Sequence, residues 1–205
     1  RQSVLENWLA ALEQEPDAGK RAKGYGQILP HLKSSAQREP VVSWLDSHYR
    51  QHGQHEALLQ LWEQELPRYQ NRPEQARLIT FDLGQHCLEQ LPKDDCAQRW
   101  LLETDGGGVS AVELEARLLL SQTEQAAGRI PEATQTLQPV VQRPLPSSWK
   151  VRIHLQLANL YYQQQAWEKA EQHYAVVMAQ PPTRRPPFPV ARQQAVAKLQ
   201  ELRRY

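Results

Sequence analysis

The chain has 205 residues, of which 40% are hydrophobic and 23% charged, with a net charge of +1; neither nucleic acid nor an anionic membrane is suggested by that balance. No apolar run approaches the roughly 18–20 residues that span a bilayer, and no signal peptide opens the chain. Because Arg1 stands where Met would, a fragment or processed form is expected, cytoplasmic or periplasmic, with any membrane tether in a segment outside this sequence.

Leu, Ala, Gln, Arg and Glu dominate, strong helix formers, while β-branched and aromatic runs are scarce. Apolar residues recur at helical spacing in segments of about 12–18 residues. Val4, Leu5, Trp8, Leu9 and Leu12 make a first stripe that ends near Pro16; a second helix runs from about Asp17 toward Lys33, kinked or shortened by Pro30. These form an N-terminal pair over 1–36. Beyond Glu39-Pro40, Val41, Trp44, Leu45, His48 and Tyr49 form a helix halted by Gly53, with a partner through Leu58, Leu61 and Trp62 to Pro67 (39–69). The next pair, 73–103, covers about Pro73–Gln90 and Asp94–Glu103, with Pro92 in the turn and Asp94 or Asp95 placed to cap. Another, 109–144, breaks at Gly128 and restarts at Pro131. The last, 148–182, covers Ser148–Gln164 and Trp167–Ala179. A proline-rich stretch from Gln180 to Pro189 reads as a stiff connector. A capping helix (188–205) then carries Val190, Ala195, Val196, Leu199 and Leu202 on one side.

Within Val151–Pro182 a large-then-small pair, Leu157-Ala158, precedes Tyr161; Trp167, Ala170, Tyr174 and Pro182 follow. Small residues let two helix backbones approach, and the aromatics fill space toward the next hairpin. This segment resembles a tetratricopeptide repeat. Leu114–Pro144 is a weaker copy with Leu120-Ser121, Gly128, Ala133 and Leu137, where Glu124 replaces the aromatic. Leu83-Gly84 with Trp100, and Leu45, Tyr49, Gly53 and Trp62, carry fainter likenesses upstream. The resemblance implies an all-α fold, a right-handed superhelical stack of about five antiparallel helix hairpins with a C-terminal cap, in a single domain over 1–205.

Little chemistry is legible. Asp105-Gly106-Gly107-Gly108 follows no strand and lacks a P-loop lysine, so it reads as a flexible connection. His48, His52 and His55 have a spacing that admits a metal, with Glu56 nearby, but read as polar residues at a helix end. Cys87 and Cys96 flank the Pro92 turn; a disulfide between them is sterically reasonable, although two buried thiols are the preferred reading. Arg184, Arg185, Arg192, Arg203 and Arg204 lack interleaved aromatics and read as solvated surface rather than a nucleic-acid site. No catalytic group and no cofactor is expected, and the chain is read as a non-enzyme.

The family's usual role implies a scaffold or adaptor that binds a partner peptide or helix in a concave groove lined by the first helix of each pair. The groove residues would be Ser43, Ser47 and Arg50; Phe81 and Gln85; Leu118 and Gln122; and Arg152, Leu155, Asn159 and Tyr162. The family's carboxylate clamp is not expected, since its companion lysines are missing. The Leu/Gln/Arg-rich composition suggests a bacterial multiprotein or envelope assembly, with end faces that could support a homodimer. The alternative is a sensory or regulatory repeat portion of a longer regulator or enzyme whose effector domain is absent here.

Overall fold

The computed structural model describes residues 2–91, 95–181 and 187–202, with Gln2 and Ser3 as backbone only. The Pro92 turn, Asp94, Pro182, Arg184, Arg185, Arg203 and Arg204 lie outside these residues. Among the described residues there are eleven α-helices and no strand. None of these helices is long and apolar enough to cross a membrane. The helices group into two compact units, Arg1–Arg72 and Pro73–Tyr205.

The first unit holds α1 (Gln2–Glu13), α2 (Ala18–Ile28), α3 (Ser35–Gln51) and α4 (His55–Glu65), each packed on its chain neighbour. Asp17 caps α2 by accepting from the Lys20 N–H at 3.0 Å. Pro30 ends the regular helix, as expected, and the chain continues as a 3-10 turn, Leu29–His31. The core is Ile28, Leu32, Val41 and Leu45, with Leu5, Leu9 and Leu12 of α1 packed against it.

One boundary differs. The expected helix after Pro40 begins at Ser35, and Pro40 lies inside α3. The early start places Arg38 within the helix, where it is buried (5% exposed). Its guanidinium donates to the Glu65 carboxylate and to the backbone carbonyls of Leu29 and Leu32. Those bonds satisfy carbonyls at the start and the C-cap of the 3-10 turn and tie it to α3.

The second unit holds α5 (Pro73–Gln90), α6 (Cys96–Thr104), α7 (Ala111–Ala126), α8 (Ile130–Leu137), α9 (Ser147–Gln163), α10 (Trp167–Ala179) and α11 (Phe188–Leu202). Successive helices pack, and the first helices of neighbouring hairpins also touch, α5 with α7 and α7 with α9. A 37-residue period runs through the fully buried side chains: Leu83, Leu120 and Leu157 on the first helices, Trp100, Leu137 and Tyr174 on the second. The small residues beside those leucines mark the helix crossings. A Cβ on Gly84 would come within 2.7 Å of Leu101, and Ser121 donates to the Ala133 carbonyl at 2.9 Å across α7 and α8.

Three hairpins share one turn. After α3, α7 and α9 the residues Gly53, Gly128 and Gln165 take positive φ, and the paired backbone bonds around each close a Schellman motif. Gln165, at φ 58°, is the non-glycine case.

Three expectations need correction. Asp95 occupies the N-cap of α6 but its side chain makes no capping bond. The apolar stripe of α11 runs through Phe188, Ala191 and Ala195 with Leu199 and Leu202, one helical face at spacings of three and four, whereas Val190 (59% exposed) and Val196 point away. The glycine-rich connection is braced rather than loose. Asp105 is held by Arg117 and Arg143, and the buried Glu113 accepts from the N–H groups of Gly106, Gly108 and Ser110 at 2.9–3.2 Å. Ser110 and Glu113 form a capping box for α7. A Cβ on Gly106 or Gly108 would meet the Glu113 carboxylate at 2.8 and 2.5 Å, which is why the loop is glycine there. Burial pushes both acids up, yet these bonds outweigh it and hold Asp105 and Glu113 below the usual carboxylate range.

Candidate partner-binding face

The side chains expected to meet a partner belong to both units, and each unit is described by itself. In the first, Ser43 and Ser47 are exposed on α3. Arg50 is half-buried and donates to Asp46, which also accepts from Trp62 Nε1 at 2.7 Å.

In the second unit, α7 and α9 are bridged by polar side chains. Arg152 forks onto Glu115 with bonds of 2.7 and 2.8 Å and lies over the Trp149 ring. Gln125 accepts from Gln156 at 2.8 Å and donates to Gln163 at 3.0 Å. Gln85 on α5 and Gln122 on α7 are exposed. Toward α11, Tyr162 donates to Glu201 at 2.8 Å beneath Lys198. Asn159 accepts from the Tyr174 hydroxyl at 2.8 Å, so its amide nitrogen alone is uncommitted by that bond. Phe81 and Leu155 are half-buried against the core. Leu118 is not on the face: it is 2% exposed and belongs to the main core cluster. Its place in the helical stripe could not separate a residue covered by the next hairpin from one left open.

Beside Gln122 a cleft of about 550 Å³ opens, with Leu88, Leu91 and Ala126 as apolar walls and Gln98, Gln122 and Arg129 as polar ones. It offers an apolar seat next to amides that can each donate and accept.

The other candidates are committed to structure. His48 stacks between Trp44 and His52, with centroids 4.9 and 4.2 Å away, and His52 Nδ1 donates to the His48 carbonyl at 2.8 Å. Burial, then the neighbouring His52, pushes His48 down. His55 opens α4. Among the described residues no group of three or more His, Cys, Asp or Glu side chains could hold a metal ion. Cys87 and Cys96 are disulfide-bonded, with Cα atoms 5.9 Å apart, where reduced thiols were the preferred reading. The bond ties the end of α5 to the start of α6.

Two buried polar features were missed. Arg38–Glu65 is one. The other is His154 on α9, whose Nδ1 lies 3.0 Å from Nδ1 of His173 on α10, with Tyr161 stacked on His173. Burial, then His173 and Lys150, pushes His154 down to about 4. In each case the sequence signal is a polar residue inside an apolar stripe: Arg38 precedes Val41 and Val42, and His154 stands between Val151 and Leu157.

Compared with known proteins, the chain matches no family model and no characterised protein.

Proposed function

We propose that the chain is a non-catalytic, tetratricopeptide-like scaffold whose second unit binds a partner peptide or helix along α5, α7 and α9. One observation carries the reading: the polar band of Gln85, Gln122, Gln125, Gln163 and the Arg152–Glu115 pair, beside the cleft lined by Leu88 and Leu91. Amide side chains at that spacing can serve a peptide backbone as donor and acceptor at once, while the cleft takes an apolar side chain. The matched Arg152–Glu115 charges favour a partner segment without large net charge. The 37-residue recurrence of buried pairs supports the repeat assignment, because stacked hairpins bury what a single one cannot.

Panning a random peptide library on the purified chain tests this reading. Selected peptides should bind about tenfold more weakly to a Gln85→Arg/Gln122→Arg variant that melts at the wild-type temperature. Unchanged affinity in that variant would place binding elsewhere.

A further inference from the structure

The first unit carries a second cleft, of about 310 Å³, where α3 meets the turn after α4. Four bases line it, Lys33, Arg38, Arg68 and Arg72, against two acids, Glu39 and Glu65. The acids are unequal in what they neutralise. Glu65 is buried and bound on both oxygens by Arg38, with Arg68 Nε 3.7 Å away. Arg38 commits four of its five N–H donors to that carboxylate and two backbone carbonyls and is buried, so it forms the floor and not the docking group. The rim is therefore Lys33, Arg68 and Arg72 against Glu39 alone.

Arg72 is preorganised. Its guanidinium lies 4.5 Å from the centroid of the Tyr69 ring, which limits its rotamers and leaves its donor edge available. It contacts Glu39 at 3.1 Å, and both side chains are half-exposed, at 40% and 52%. An exposed pair of this kind contributes little to stability. The Glu39 carboxylate thus acts as a resident oxyanion that a stronger one can displace. A dianion with three oxygens can engage Arg72, Arg68 and Lys33 together, which a single carboxylate cannot.

We propose that this cleft is a binding site for a phosphate monoester dianion, held by Lys33, Arg68 and Arg72 with Tyr69 and Ser35 as its neutral walls. The site is separate from the peptide face and does not depend on it.

The test is titration of the whole chain with inorganic phosphate and with phenyl phosphate at constant ionic strength, read by calorimetry and by amide NMR shifts. Saturable binding on the order of 1 mM is expected. The ester should bind more tightly than the free ion if the source is an organic phosphate. Arg68→Gln/Arg72→Gln should weaken binding at least tenfold at an unchanged melting temperature. Glu39→Gln should tighten it at least twofold, because the competing carboxylate is gone. Absence of saturable binding overturns the proposal, as does binding that survives the double substitution. Acetate binding as well as phosphate would overturn the preference for a dianion.

Discussion

At the scale of single residues, the buried polar groups decide how the molecule responds to change. Arg38 and Glu65 satisfy each other in the first unit, and removing one partner leaves a buried charge unpaired. Arg38→Met should cost about 3–5 kcal/mol in urea unfolding, and adding Glu65→Leu should recover most of it. Independent, additive losses from the two substitutions would contradict the pairing. The His154–His173 contact makes a different prediction. A histidine held down near 4 in the fold titrates near 6.5 when unfolded, so the unfolded state takes up protons first. Its contribution is therefore complete above about pH 6.5 and is lost as pH falls toward 4, at up to about 1.4 kcal/mol per pH unit. Lys150, which acts on His154, and Lys169, over the Tyr161 ring, are both cations, and neither offsets an imidazolium. Urea midpoints of wild type and His154→Leu/His173→Leu should converge in pH dependence only above neutrality. A constant difference from pH 7 to pH 4 would remove the pair as a cause.

At the scale of elements, the shared Schellman turn gives a graded prediction. Gln165 adopts the left-handed conformation that glycine takes at the equivalent Gly128. Gln165→Gly should raise stability by about 0.5–1 kcal/mol, and Gly128→Ala should lower it by a similar amount, both read from thermal melts. A destabilising Gln165→Gly would mean that the glutamine side chain matters more than its backbone. Crossing geometry predicts a larger effect: Gly84→Leu must move Leu101 or separate α5 from α6, at about 1–3 kcal/mol. Most of these elements were legible in the sequence. Pro73–Gln90 and Trp167–Ala179 stand as read, because their stripes and breakers are local signals. The start of α3 was not, since Pro40 looks like a boundary until Arg38 is known to bond Glu65 from 27 residues away. Nor was the bracing of the glycine loop, which depends on Arg143 reaching Asp105 from the next connection.

At the scale of the whole molecule, two compact helical units carry different surface chemistry: an amide-rich face on the second and a basic cleft on the first. The sequence pointed to Gln85, Gln122 and Arg152 through their helical phase, but it could not show that Arg152 is matched by Glu115 or that Leu118 is core. Partner pairing is a property of neighbouring hairpins, so one stripe read alone cannot display it. The most direct test of the scaffold reading is an NMR titration of the labelled chain with a peptide selected on it. Amide and side-chain shifts should concentrate at Gln85, Gln122, Gln125, Arg152 and Gln163, and shifts confined to α6, α8 and α10 would contradict the account.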